Sequence, residues 1–328
     1  MNADKSKRNW LWFGATMSVV LALGVTLRFT QRVEPSGSLI YDIEKYRTVN
    51  PKLIAYTETG SINPTLKQIR AICIDRNDRI YVSGANGVQI FNANGEIHGQ
   101  FSVNGVPDCL SVGRDGKIYV GMRDNIEVYN IDGEMVDVWE SLGGNAWLTS
   151  LAVTTDIVYA ADAGTRVVWG FNRKGKPVIR IDGTGIDGLG DVFVVPSPYF
   201  DIAVTDENSI WVVNPGLHAL EKYRSNGALI TSWERSSFQI DGFCGCCNPS
   251  HIALMPNGSF VTSEKGLPRV KIHGPTGELL CVVAGPEQFD AKVTGLDLAV
   301  DSNGRILVLD TAMNKIRIFE RIEKRELK

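Results

Sequence analysis

The sequence lacks an excess of charge of either sign and lacks the short motifs that mark many enzymes. Its 328 residues include 34 lysines and arginines against 37 aspartates and glutamates, a formal net charge of −3. A nucleic-acid surface normally needs a cationic stripe, so this balance argues against binding by phosphate neutralisation. No GxSxG elbow, HExxH pair or P-loop occurs in the sequence, which therefore offers no ready-made catalytic set.

Long hydrophobic runs are also scarce, and the one that stands out is at the N-terminus. Trp10 to Leu27 is an uncharged run of 18 residues that follows Lys5, Lys7 and Arg8. As a helix it would span about 27 Å, just enough for a hydrocarbon core of roughly 30 Å. Residues 1–28 are therefore predicted to be a cytoplasmic tip with a transmembrane signal anchor, and a cleaved signal peptide is the alternative. A linker is predicted over 29–52.

An internal repeat of about 45 residues dominates the rest of the chain. Each unit has apolar stretches of strand length, separated by turns rich in Asn, Asp and Gly that favour tight hairpins. The first stretches share a small central residue and are Ile72–Ile74, Leu110–Val112, Leu151–Val153, Ile202–Val204, Ile252–Leu254 and Leu298–Val300. This self-similarity predicts an all-β, six-bladed propeller over 53–321 as one domain, followed by a charged tail, 322–328.

The sixth unit ends after its third strand, at Phe319, and so lacks an outer strand. We expect Leu53 to Thr57, an apolar stretch before the first unit, to supply it. Such pairing would close the ring and remove an open sheet edge, which otherwise invites aggregation.

The clearest copy of the repeat runs from Leu298 to Thr311 and continues from Asn314 to Phe319. It resembles the NHL family of six-bladed β-propellers, and the resemblance covers nearly all of residues 53–321. With the N-terminal run, it implies a membrane-anchored bacterial type. NHL propellers serve as protein-binding platforms, sensor ectodomains, RNA-binding modules and a few metal-dependent lyases, so the resemblance implies a fold much more sharply than a function.

The residue just before each first stretch is expected at the mouth of the central channel. These six residues are, in chain order, Ala71, Cys109, Ser150, Asp201, His251 and Asp297. Asp201, His251 and Asp297 thus come from three consecutive blades, and two carboxylates with an imidazole suit a divalent cation such as zinc or manganese. The metal-dependent lyases of the NHL family also use the channel mouth. The alternative is structural, since an Asp at a strand start often accepts a hydrogen bond from a neighbouring backbone N–H.

The most unusual segment is Phe243 to His251, which holds three thiols, those of Cys244, Cys246 and Cys247. One interpretation is a disulfide, between either Cys244 and Cys247 or the adjacent Cys246 and Cys247. A second is a soft-metal or iron–sulfur centre held by the three thiolates and His251. A third is a labile, redox-active thiol pair.

Two further features are predicted to be ordinary. Glu264 and Lys265, where NHL repeats usually have Asp-Thr, are expected in an exposed turn with a weak ion pair. Cys73, Cys109 and Cys281 stand in or beside apolar strands, where cysteine packs as a small hydrophobe.

These observations favour a binding role over catalysis. We predict a membrane-tethered propeller on the extracytoplasmic (periplasmic) side that acts as a protein-binding scaffold or accessory subunit, with a membrane or periplasmic protein as its partner. The alternative is a metal-dependent or redox-active propeller that uses the channel mouth and the cysteine segment. Its cofactor would be a divalent metal or an iron–sulfur centre.

Overall fold

The computed structural model describes residues 44–185, 188, 190–205, 209–290 and 292–323. The predicted signal anchor (1–28), the first part of the predicted linker and most of the charged tail lie outside the described residues. The chain from Glu44 onwards forms one compact unit. Within the described part of the chain, no helix is long and apolar enough to cross a bilayer.

The described residues form 24 strands in six four-stranded antiparallel sheets, which confirms the all-β, six-bladed propeller. The first half of the chain contributes β1 (Tyr56–Ile62), β2 (Ala71–Ile74), β3 (Ile80–Gly84), β4 (Gly87–Phe91), β5 (Ile97–Ser102), β6 (Cys109–Val112), β7 (Ile118–Gly121), β8 (Ile126–Tyr129), β9 (Met135–Val138), β10 (Leu148–Val153), β11 (Ile157–Asp162), β12 (Val167–Asn172) and β13 (Pro177–Ile181). The second half contributes β14 (Ile202–Val204), β15 (Ile210–Asn214), β16 (Ala219–Tyr223), β17 (Leu229–Glu234), β18 (His251–Leu254), β19 (Phe260–Ser263), β20 (Val270–His273), β21 (Leu279–Ala284), β22 (Leu296–Val300), β23 (Ile306–Asp310) and β24 (Lys315–Arg321).

Each sheet is one blade, and its strands follow one another from the axis outwards. Blades 1 to 5 are β2–β5, β6–β9, β10–β13, β14–β17 and β18–β21, and blade 6 is β22–β23–β24–β1. The turn before the outer strand needs a residue with positive φ, and glycine meets this need without steric cost. Gly175, with φ +75°, and Gly227, with φ +88°, are two examples.

The hydrophobic core lies between successive blades, because the middle strands of each blade are buried on both faces. Tyr159 of blade 3, for example, is 1% exposed and packs in one cluster with Phe193, Phe200 and Ile202 from the start of blade 4. Burial of aromatic rings of this size contributes about 2–3 kcal/mol each. Successive side chains of a middle strand point to opposite faces of its blade. Each blade therefore packs against both of its neighbours.

The ring is closed by β1, which overlaps the predicted segment at Tyr56 and Thr57 and continues to Ile62. Pro51–Leu53 forms a 3₁₀ turn capped by Asn50, and Ile54 bridges to Val282 of blade 5. The antiparallel pairing with β24 then starts at Tyr56, opposite Arg321, and continues to Ile62, opposite Ile316. The predicted bounds of the closing strand, Leu53–Thr57, were therefore wrong. The middle of β1 is polar and exposed, so the strand lacks the apolar pattern of the other strands.

Candidate functional site

A central channel runs along the axis and opens into a funnel at one end. The innermost strands of all six blades line the channel, which has a volume of about 260 Å³, and all six residues predicted for the channel mouth are part of its wall. The funnel has a volume of about 500 Å³ and is lined by residues that precede these strands, Tyr199 and Gly295 among them. The connections between blades lie at this end, which we call the loop face.

Asp201, His251 and Asp297 meet where the funnel enters the channel, and we call them the hub. His251 Nδ1 lies 3.8 Å from Asp201 Oδ2 and 3.4 Å from Asp297 Oδ1. One ligand atom from each residue lies within 4.8 Å of the other two. The Tyr199 ring stands nearly perpendicular to the imidazole of His251, with 6.0 Å between ring centroids. The spatial convergence expected from the repeat is therefore present.

Both hub carboxylates also join neighbouring blades. Asp297 Oδ2 accepts a hydrogen bond from the Ile72 backbone N–H at 2.8 Å, which links blade 6 to blade 1. Asp201 Oδ2 accepts one from the Ile252 N–H at 2.7 Å, which links blade 4 to blade 5. Each carboxylate accepts a second hydrogen bond from the residue that follows it. The structural role foreseen for an Asp at a strand start is thus present at both positions.

The hub remains able to bind a cation, because each carboxylate oxygen has a second lone pair. Burial raises the pKa of Asp297 to about 6; the Asp201 carboxylate adds to the rise, whereas His251 and the backbone N–H groups oppose it. A divalent ion would offset this repulsion between carboxylates. Two carboxylates and one imidazole therefore fit a borderline metal such as zinc or manganese.

The interblade hydrogen bonds give a prediction that does not depend on any ligand. Asp201→Asn replaces one acceptor with an N–H donor that faces a backbone N–H, so we expect it to lower the free energy of unfolding by about 1–3 kcal/mol. Ser150→Ala is the matched control, because Ser150 Oγ accepts only a 3.4 Å contact from the Ile202 N–H. Urea unfolding followed by tryptophan fluorescence measures both variants. Equal effects would contradict the assigned role.

The cysteine segment lies on the loop face, and its thiols are free. Cys246 and Cys247 have their sulfurs 3.5 Å apart. Cys244 Sγ instead receives a contact from Arg269 Nη2 at 3.8 Å, and neither predicted disulfide is formed in the structure. Among the described residues, the hub is the one group of three whose ligand atoms are mutually close. The three cysteine sulfurs and His251 do not form such a group, and the metal-centre interpretation of this segment stays a prediction.

Asn248 ties the cysteine segment to the turn between β19 and β20. Its amide nitrogen donates to the carbonyl oxygens of Cys244 and Lys265, and its Oδ1 accepts from the Lys265 backbone N–H at 2.9 Å. These hydrogen bonds hold Lys265 beside the cysteine segment. His218 of blade 4 also contacts the cysteine segment, since its Nε2 lies 2.6 Å from the Gly245 carbonyl oxygen.

The expected exposed turn at Glu264 was wrong, because its carboxylate is fully buried. Glu264 accepts hydrogen bonds from Arg269 and lies 2.8 Å from Lys271 Nζ; both cations are at most 1% exposed. Lys271 Nζ also donates to the Gly242 carbonyl oxygen at 2.6 Å. Burial would raise the pKa of Glu264, but the two cations hold it below its usual range. This triad fastens the connection between blades 4 and 5.

His273 is buried beside the triad and is held by stacking. Its ring contacts both Trp233, with centroids 5.6 Å apart, and Phe243, with centroids 5.1 Å apart, and these two rings also contact each other. Nδ1 donates to the Gly277 carbonyl oxygen at 3.1 Å, while Nε2 is buried and has no hydrogen-bond partner among the described residues. Burial, together with the charge of Lys271, lowers the pKa of His273 to about 3. The residue is therefore a neutral packing group at physiological pH.

This burial makes His273 a source of acid sensitivity. Between pH 6.5 and about 3 the unfolded chain binds a proton at this residue and the folded chain does not, so stability falls with decreasing pH. We expect His273→Phe to remove up to about 1.4 kcal/mol per pH unit from that slope. Arg235 still donates to Gly277, so the variant should fold. Urea unfolding at several pH values measures the slope, with exposed His98→Gln as the control. The same change of slope in both variants would contradict the role assigned to His273.

A second cavity on the loop face was not predicted from the sequence. It has a volume of about 500 Å³, and we call it the Trp147 groove after Arg70, Val106, Asp108, Arg123 and Trp147, which line it. The Arg123 guanidinium lies 3.8 Å from the centroid of the Trp147 ring, and Arg70 pairs with Asp108 at 3.0 Å. Arg70, Asp108 and Trp147 also line the funnel, so the two cavities adjoin. The sequence signal that could have indicated this cavity is Trp147, a large aromatic residue in a connection between blades.

The fold and this axial site define a six-bladed β-propeller with a loop-face funnel. No family model and no curated protein matches the chain, so the resemblance to NHL repeats stays a prediction. Among solved structures, a streptogramin B lyase is similar, with a TM-score of 0.59 and 12% identity over 82% of this chain and 98% of that chain.

Virginiamycin B lyase from Staphylococcus aureus is also similar. A catalytically inactive variant with quinupristin has a TM-score of 0.55 and 11% identity over 79% of this chain and 82% of that chain. The selenomethionine-substituted protein has a TM-score of 0.55 and 10% identity over 81% of this chain and 100% of that chain. At these identities the similarity shows the fold alone.

Proposed function

We propose that this propeller is a membrane-tethered, extracytoplasmic binding platform whose loop face docks a membrane or periplasmic protein. The observation that carries the proposal is the pair of adjoining cavities, the funnel and the Trp147 groove, which share Arg70, Asp108 and Trp147. The tether is the uncharged run of residues 10–27.

The residue types on this face support a protein partner. Tryptophan, tyrosine and arginine are the side chains that most often dominate binding energy at protein interfaces. Here Arg123 stacks on Trp147, while Val106, 47% exposed, adds apolar surface. The partner should therefore present an apolar side chain flanked by polar groups, because the indole, Val106 and charged side chains of both signs line one continuous depression.

A charge reversal on each face tests the proposal. The tagged full-length chain is purified in detergent from its native membrane, and the proteins bound to it are quantified by mass spectrometry. Arg123→Glu alters the Trp147 groove, whereas Arg76→Glu makes the same change beside the cavity at the opposite channel end. We expect Arg123→Glu to reduce a specific partner at least about tenfold and Arg76→Glu to retain it. Loss of the partner in both variants, or no partner for the unaltered protein, would contradict the proposal.

A second candidate function is binding of a divalent cation, and the mutual distances in the hub favour it. Mn²⁺ is a suitable probe because it prefers oxygen and imidazole ligands to thiolates. Isothermal titration should show one Mn²⁺ site, lost in His251→Gln and retained in His98→Gln. The His251 variant should fold normally, since the interblade hydrogen bonds come from the carboxylates. Equal titration curves for the two variants would exclude the hub as the site.

A further inference from the structure

Two adjacent thiols on the loop face differ sharply in exposure. Cys246 is exposed, whereas Cys247 is 0% exposed. Their sulfurs are 3.5 Å apart, with Cys247 as the donor and Cys246 as the acceptor. Cys246 is therefore the sulfur that a dissolved disulfide can reach, and the buried Cys247 thiol lies within contact of it.

A relay of hydrogen bonds fixes this direction. Lys265 Nζ donates to Ser197 Oγ at 3.2 Å, and Ser197 Oγ donates to Cys247 Sγ at 2.8 Å. An ammonium group can only donate, so the Ser197 oxygen accepts from Lys265 and its own proton is directed to the sulfur. Cys247 then has its proton available for Cys246. The relay thus runs from a cation to the exposed sulfur through residues distant in sequence.

The third thiol of the segment is kept apart from this pair. Cys244 is 9% exposed and its sulfur contacts the guanidinium of Arg269, which is itself bound to Glu264. Cys246 and Cys247 therefore form a pair from which the Cys244 sulfur is held away by its contact with Arg269.

We propose that Cys246 and Cys247 form a reversible dithiol–disulfide site that exchanges electrons with a small-molecule disulfide. The Cys246 thiolate attacks one sulfur of R–S–S–R, so that Cys246–S–S–R forms and R–S⁻ leaves and takes up the proton that Cys246 released. The Cys247 sulfur then attacks Cys246 Sγ, and its proton goes to the second departing R–S⁻. Two cysteine thiols are oxidised by two electrons, and R–S–S–R is reduced to two R–SH.

The surroundings assign the order of attack. Burial raises the pKa of Cys247; the hydrogen bond from Ser197 and the charge of Lys265 oppose the rise, and the neighbouring Cys246 adds to it. Cys247 therefore keeps its proton until the mixed disulfide forms, and exposed Cys246 reacts first. A disulfide between adjacent residues is strained, and strained disulfides are more easily reduced, which favours reversibility.

Oxidation of the full-length chain with glutathione disulfide tests this proposal. The reduced protein is incubated over a range of ratios of oxidised to reduced glutathione, remaining thiols are alkylated, and intact masses are measured. We expect the unaltered protein and Cys244→Ala to lose two thiols without retaining glutathione. Cys247→Ala should retain one glutathione on Cys246, and Cys246→Ala should keep every thiol. Lys265→Met should slow conversion of the adduct to the disulfide about tenfold, because the relay loses a charged donor.

Two results would overturn the proposal. The first is no loss of two thiols at any glutathione ratio, with peptide mapping of the unaltered protein showing Cys246 and Cys247 both alkylated. The second is loss of two thiols in Cys246→Ala, which would place the disulfide between Cys244 and Cys247. An unchanged rate in Lys265→Met would remove the relay from the mechanism. Circular dichroism of each variant verifies that it is folded.

Discussion

Glu264→Gln is expected to lower the free energy of unfolding by about 3–5 kcal/mol, because it leaves two buried cations without a counter-charge. Arg269 is 1% exposed and Lys271 is 0% exposed, so solvent cannot replace the carboxylate. The loss is large relative to a net stability of about 5–15 kcal/mol. Thermal and urea unfolding followed by tryptophan fluorescence should show it directly.

Removing one of the cations, rather than the carboxylate, separates the effect of an unpaired buried charge from the effect of lost packing. Lys271→Met leaves Glu264 paired with Arg269, and Gly242 keeps a hydrogen bond from Arg269 Nη2 at 3.3 Å. We therefore expect a loss of roughly 1–2 kcal/mol. Asp182→Asn is the surface control, since its partner Arg180 has a side chain 53% exposed; such pairs contribute less than about 1 kcal/mol. If all three variants were equally stable, the triad would not be the anchor of this connection.

Removal of β1 should prevent the propeller from accumulating in folded form. This strand pairs six residues with β24 and buries Tyr56 and Ile62, which are 3% and 6% exposed. At roughly 1 kcal/mol per hydrogen bond and about 1.5–3 kcal/mol per buried side chain, the loss approaches the whole net stability. The open edge of β24 would also invite association of chains. A chain beginning at Asn63 is therefore expected to aggregate, as measured by size-exclusion chromatography.

A circular permutant provides the matched control. Because Tyr56 lies opposite Arg321, residues 56–62 can follow residue 321 through a two-residue Asn-Gly turn. The same strand then completes blade 6 from the other end of the chain. We expect this permutant to be monomeric and to melt cooperatively. An aggregated permutant, or a well-folded truncated chain, would show that blade 6 is not closed by β1.

The fold and the hub could be predicted from the repeat, because residues at the same position of each repeat lie at the same level along the central channel. Asp201, His251 and Asp297 occupy one register, and it places them together in the structure. The extent of β1 was not predictable from apolar pattern, since the residues between Tyr56 and Ile62 are exposed.

Features that join distant segments could not be predicted in this way. The relay joins Ser197, which precedes blade 4, to Cys247, which follows it, and no periodicity connects the two residues. The ion triad did leave a signal, the alternation of Arg269, Lys271 and His273 with apolar residues. In a surface strand this pattern indicates a solvated face. In the third strand of a propeller blade both faces are covered, so it indicates buried charge that must be paired.

The central claim, that the loop face is the binding surface, is tested most directly by site-specific photo-crosslinking in the native membrane. A benzophenone amino acid is placed at Val106 in the Trp147 groove or at Arg76 at the opposite end of the channel. The account predicts that Val106 yields a discrete crosslinked protein and that Arg76 does not. The same product from Arg76, or none from Val106, would contradict it.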